Sequence, residues 1–132
     1  MAVVTAGCGG DGAEQELSGP AARGAELVET KGCLSCHSTD GSRGAGPTWE
    51  GLAGSPVELA NGRSVVADED YLMRSILEPD ADTVAGFPAG LMASTVRPGT
   101  VTDDEAAAIV AYLKSLSDQD DSGNSEGGPS DR

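Results

Sequence analysis

Cys33-Leu34-Ser35-Cys36-His37 is the stretch that decides how this chain folds. Two thiols separated by two residues and followed at once by an imidazole form the attachment sequence of a covalently bound haem. Thiols three positions apart on one helical turn reach the two vinyl groups on one side of a porphyrin, while the adjacent imidazole comes up under the metal. A thiol supplies a thioether bond that keeps the cofactor from dissociating, and a neutral imidazole nitrogen supplies an axial ligand to iron.

Other uses of the same residues fit less well. A thioredoxin-like dithiol needs a βαβ context, and no strand alternation surrounds Cys33. A structural zinc site needs a full tetrahedral set, which here means recruiting the distant Cys8 to Cys33, Cys36 and His37, with no second cluster downstream.

Composition agrees with a cofactor at the centre. The chain has 132 residues, enough for one domain, but only one Trp, two Tyr and one Phe to fill a core. A haem is a large flat apolar body that supplies the missing bulk, so the chain is expected to fold poorly without it. There are 22 Asp and Glu against 8 Lys and Arg, a formal charge of −14 before any propionates are counted. That excludes nucleic acid as a partner. It suits steering onto a basic patch of a redox partner, or simply solvation in salty surroundings.

The organisation follows from local signals. Residues 1–19 are rich in Gly and small polar side chains and read as a flexible tether; residues 118–132 form an acidic run of low hydrophobicity and read as a disordered tail. One domain, 20–117, lies between. Pro20 suits a first helical turn, and good helix formers run from Ala21 to Lys31 before Gly32. A second helix is predicted from a cap at Asp68, with Leu72, Met73, Ile76 and Leu77 as its buried stripe and Pro79 as its stop. In the third, Thr102 and Glu105 make a capping box ahead of Ala106, Ile109, Val110, Leu113 and Leu116. Gly and Pro density predicts loops over 39–62 and 83–99, covering both haem faces.

An iron with one imidazole needs its other axial position explained, since a second protein ligand makes an electron carrier and an open position invites small-molecule chemistry. His37 is the only histidine. The remaining candidates are Met92, Met73, Met1, Lys31 and Lys114, or no ligand at all. Met73 sits on an apolar stripe, where a thioether usually fills core. Met1 is in the tether. Met92 lies in the glycine and proline loop before the last helix, where backbone freedom lets a sulfur be laid over iron, and is the choice made here.

Taken in order, Gly24, the Cys33–His37 motif, Gly46-Pro47-Thr48-Trp49-Glu50-Gly51-Leu52, a middle helix bearing Tyr71, a loop methionine and Ala111-Tyr112-Leu113 with Leu116 make residues 20–117 resemble class I cytochrome c. Within that family the chain is most similar to the cytochrome c domain of subunit II of some bacterial haem-copper oxidases. Asn61-Gly62-Arg63, Ala67-Asp68-Glu69-Asp70-Tyr71-Leu72 and Ser75-Ile76-Leu77-Glu78-Pro79 carry that finer likeness.

The resemblance implies an all-α cytochrome c-like fold of three to five helices wrapped around one covalent haem c. It implies that Cys33 and Cys36 carry the haem and that His37 and Met92 are the proximal and distal metal ligands. Pro47 would offer its carbonyl to the other imidazole nitrogen. It implies that Gly24 lets the last helix approach the first, with Tyr112 at the crossing. Two positions depart from the family: Ala93 follows Met92 where Pro is usual, and Trp49 stands where a small apolar residue is common.

The oxidase subunit also contains membrane helices and a copper domain. Here no apolar stretch is long enough to span a bilayer, and no Cys, His and Met cluster suits a binuclear copper site. The chain is therefore expected to be free-standing or a portion of a larger subunit. Val4-Thr5-Ala6-Gly7-Cys8 resembles the end of a bacterial lipoprotein signal, although Thr5 replaces the usual Leu. Cys8 keeps two readings, a lipidated anchor or an unpaired thiol.

The function expected is that of a monohaem c-type cytochrome, not an enzyme. It would carry single electrons between membrane-associated respiratory complexes in the periplasm or at the outer face of the cytoplasmic membrane, as a monomer or complex subunit. Its partners would be redox proteins such as a cytochrome oxidase. The alternatives are a cytochrome c domain within an enzyme complex, a terminal oxidase or a dehydrogenase, and a gas-binding haem protein with a free sixth position.

Overall fold

The structure is a computed structural model that describes residues 17–123, with side chains described to residue 118. Met1 and Cys8 of the expected tether, and the end of the acidic tail, lie outside the described residues. Four α-helices dominate: α1 (Gly19–Thr30), α2 (Glu69–Leu77), α3 (Leu91–Thr95) and α4 (Asp103–Gly123). A single 3₁₀ turn (Cys33–Ser35) follows α1, and a two-stranded ribbon, β1 (Pro56–Glu58) and β2 (Ser64–Val66), precedes α2.

Helix α1 begins with Pro20 in its first turn, where a missing amide hydrogen is harmless, and ends at Lys31 before Gly32. It buries Gly24 and Val28 against α4. An added methyl at Gly24 would overlap the Ala108 carbonyl oxygen and lie 2.7 Å from its carbon and 2.8 Å from Tyr112 Cβ. The crossing expected of Gly24 and Tyr112 is therefore present, and it is backbone against backbone.

The caps read from the sequence form as expected. Asp68 accepts a hydrogen bond from the Tyr71 amide at 2.8 Å at the start of α2. At α4 the Thr102 amide donates to Glu105 Oε2 at 2.9 Å while the Glu105 amide donates to Thr102 Oγ1 at 3.2 Å, a reciprocal capping box. The α2 stripe is rotated from the expected one. Tyr71, Leu72 and Ile76 are buried, whereas Met73 and Leu77 are half-buried. Helix α4 continues to Gly123, past the boundary expected at 117, because each added residue of a nucleated helix closes another backbone hydrogen bond.

Two segments expected to be loops carry regular structure. Val57 pairs with Val65 and Pro56 with Val66 in an antiparallel register, and the reversal is made at Asn61-Gly62, where Gly62 has φ +88 and Asn61 Oδ1 accepts from the Arg63 amide. Leu59 then bridges to Val84, and the Ala85 amide donates to the Glu58 carbonyl, so the segment after α2 is stitched to the ribbon. Further on, the same segment winds into α3. The core beneath these elements comprises Val28, Trp49, Leu59, Leu72, Ile76, Val101, Ala106, Ile109, Val110 and Leu113 among others, and no charged residue among those described is buried.

Candidate haem site

The site is built on the tight turn after α1. The Cys36 and His37 amides both donate to the Cys33 carbonyl, at 3.2 and 3.1 Å, which curls Cys33, Cys36 and His37 into one short arc. The following chain folds back on this arc: the Gly46 amide donates to the Cys36 carbonyl at 2.9 Å and the Trp49 amide to the Ser38 carbonyl at 2.7 Å. That return places the Pro47 carbonyl 2.7 Å from His37 Nδ1. A carbonyl can only accept, so Nδ1 carries the hydrogen and Nε2 keeps the lone pair of the neutral ring. Burial depresses the His37 pKa below its ordinary value, against the opposing effect of the Pro47 hydrogen bond, so the neutral form is favoured.

The imidazole is also held by two close neighbours. Trp49 stacks on it with ring centroids 4.8 Å apart and planes inclined by 19°. A Cβ on Gly46 would lie 2.6 to 3.1 Å from its ring atoms, so the backbone there must be bare. Trp49, noted in the sequence only as a departure, is thus one of the two neighbours that orient His37. Cys33 and Cys36 are not joined in a disulfide. Burial pushes the Cys33 thiol up from its ordinary pKa, while its own backbone and Lys31 act in the other direction.

These groups line a cleft that is partly open to solvent. Its walls come from the 45–49 return, α2, the 82–84 strand-like segment, α3 and the inner face of α4, and they are overwhelmingly apolar: Leu72, Ile76, Val84, Phe87, Val96, Val101, Ile109 and Leu113. A mostly apolar cleft lined by two thiols, a lone-pair imidazole and a thioether fits a large flat macrocycle. Among the described residues no group of three or more His, Cys, Asp and Glu is placed to hold a metal ion.

Cys33, Cys36, His37, Pro47 and Met92 all line the cleft. Met73, Lys31 and Lys114, the other sixth-ligand candidates among the described residues, do not. Met73 packs on the core side of α2, Lys31 donates to the Thr100 carbonyl at 2.7 Å and pairs with Glu105 at 3.1 Å, and Lys114 pairs with Glu69 at 3.2 Å. Met92 stands in α3, not in open loop. Sequence reasoning gave no cleft role to Arg43, Asp82 or Phe87. The Arg43 guanidinium lies 4.5 Å over the Phe87 ring and donates to the Gly86 carbonyl at 2.7 Å, clasping the segment that leads to Met92 onto the segment that leads to Pro47.

The family model for cytochrome c matches residues 21–117. The chain belongs to the cytochrome c family. Membership brings one covalently bound haem c and the work of a monohaem electron carrier among redox proteins, and it agrees with the class I reading. When bound, the haem supplies a one-electron ferric/ferrous couple. Cytochrome cH from Methylobacterium extorquens has a similar fold, with a TM-score of 0.52 at 24% identity over 74% of this chain and 99% of that one. No curated protein matches the chain. Among the described residues no helix is long and apolar enough to cross a membrane.

Proposed function

We propose that this cytochrome carries single electrons between membrane-associated respiratory complexes, with haem c attached through Cys33 and Cys36 and its iron held by His37 and Met92. The observation that carries the reading is the sharing of one apolar cleft by all four side chains, with His37 already fixed by Pro47, Gly46 and Trp49. Fixed ligands on both faces keep the rearrangement between oxidised and reduced forms small, which suits transfer and excludes small molecules from the metal.

Docking is supported at the cleft mouth, where Leu34, beside the two cysteines, and Leu91, beside Met92, are exposed apolar side chains. The charge of −14 steers the protein toward a basic partner surface, an attraction that weakens with added salt. Cytochrome c domains typically work outside the cytoplasm, and we place this one in the periplasm or at the outer membrane face, with 20–117 as the working domain. Acylation of Cys8 would supply a tether. A second reading, as the electron inlet of a terminal oxidase, draws on the finer subunit II likeness of residues 61–79, which here form the end of the ribbon and α2 along one cleft wall.

The absorption spectrum tests the ligand set. Oxidised wild type is expected to show a sulfur-to-iron charge-transfer band that Met92→Ala abolishes, and reduced wild type is expected to resist carbon monoxide. Retention of the band in the variant, or prompt carbon monoxide binding by the wild type, rejects Met92. Stable copurification with a haem-copper oxidase would favour the inlet reading over the free carrier.

A further inference from the structure

Asp82 is the only carboxylate lining the haem cleft among the described residues, in a chain that holds 22 Asp and Glu. Its side chain is mostly shielded, at 18% exposure, and it is not left alone. Arg74, on the outer side of α2, donates from Nε and Nη2 to Asp82 Oδ2 at 3.0 and 2.8 Å. The same guanidinium lies 5.8 Å from the centre of the Tyr71 ring, and Tyr71 also lines the cleft. Arg74 itself does not line the cleft. One negative charge is thus set into a mostly apolar wall, and its counter-charge lies outside the lining of that wall.

The asymmetry has an electrostatic consequence. An apolar wall screens a charge poorly, and at an effective dielectric of about 20 a unit charge is felt across a cleft of this kind. Oxidising the iron adds one positive charge to the cleft. A carboxylate on the wall stabilises that charge, and a guanidinium opposes it. Burial raises the Tyr71 phenol above its ordinary pKa; Ser75 opposes this, and Asp82 and Arg74 act on the phenol in opposite senses, Asp82 raising and Arg74 lowering.

We propose that the Arg74–Asp82 pair sets the reduction potential of the bound haem, Asp82 lowering it and Arg74 cancelling most of that effect from outside the cleft lining. Neither residue accepts the electron, which passes from donor protein to haem and on to acceptor, and neither exchanges a proton in the step. The inference rests on the haem reading above.

Redox titration of the holoprotein at low ionic strength tests it. Asp82→Asn is expected to raise the potential and Arg74→Gln to lower it, each changing the ratio of oxidised to reduced protein at fixed applied potential by on the order of tenfold. Arg74→Lys, which keeps the charge and loses the fork, is expected to stay near wild type, and the double variant to lie between the singles. Two single variants that shift together, or not at all, overturn the proposal. If Arg74→Gln fails to fold, Asp82→Asn and Arg74→Lys still decide the sign. Absorption spectra of the same samples separate the two levels of failure. A colourless wild type removes the haem reading itself, whereas a normal spectrum with unmoved potentials removes only the role of the pair.

Discussion

Gly24 on α1 faces Ala108 on α4 so closely that no side chain fits between them: an added Cβ would overlap the Ala108 carbonyl oxygen and meet its carbon at 2.7 Å. The obstacle is backbone, which has no rotamer through which to yield. Replacing glycine by alanine within a helix ordinarily gains about 1 kcal/mol. Here the overlap outweighs that gain, and Gly24→Ala is expected to destabilise the holoprotein by about 1–3 kcal/mol, the usual cost of overpacking. Denaturant midpoints measure it; a variant as stable as wild type would mean that the two helices separate without cost.

Gly46 and Trp49 confine His37 in the same sense. The Gly46→Ala methyl would enter the imidazole at 2.6 Å and push the ring off the Pro47 carbonyl. The expected outcome is a lower yield of holoprotein and a spectrum with mixed spin states. Trp49→Ala removes the ring stacked on His37 and a buried side chain, with an expected loss of about 3–5 kcal/mol in thermal or chemical unfolding.

The parts legible in the sequence were those encoded by neighbours. Asp68 and Thr102 cap their helices through residues three positions away, and Cys33, Cys36 and His37 fall within one turn, so local chemistry sufficed. The ribbon was hidden because Val57, Val65 and Val66 are a thin β signal amid glycines, and what holds their segment in place is a long-range bridge between Leu59 and Val84. Helix α3 was hidden for the same reason: five residues carry too little periodicity to be seen. The partners of Arg43, Arg74 and Lys31 lie 43, 8 and 69 or more residues away, and no spacing rule joins them. Charges in the sequence gave a total; the fold decides which one reaches the cleft.

Arg43 offers a test of how the Met92 side of the cleft is kept closed. It reaches across to Phe87 and the Gly86 carbonyl, five and six residues before Met92, and so ties the segment before Met92 to the segment before Pro47. An exposed cation–π contact is worth about 0.5–1 kcal/mol, so Arg43→Ala should raise the transient opening of this segment by roughly two- to fivefold. Carbon monoxide binding to the reduced protein, limited by that opening when Met92 is the ligand, is expected to quicken by the same factor. An unchanged rate would show that α3 and the Leu59–Val84 bridge hold the segment without help.

Glu105 joins the end of α1 to the start of α4, and its contribution depends on pH in a definite sense. The Thr102 amide first, and Lys31 at 3.1 Å second, hold its carboxyl below the ordinary value of 4.5. A carboxyl whose pKa is depressed by folding adds stability that is complete above the unfolded value and is lost as pH falls through the folded one. The gap in urea midpoint between wild type and Glu105→Ala is therefore expected to be constant from pH 7 to about 5.5 and to close progressively below 4.5. Added salt should shrink only the Lys31 share, since the cap is a direct hydrogen bond and the ion pair is still partly reached by solvent. Glu105→Gln separates the two, because an amide oxygen still accepts from Thr102 but carries no charge for Lys31. A gap that stayed constant down to pH 3 would assign the stabilisation to packing of the side chain and not to its ionisation.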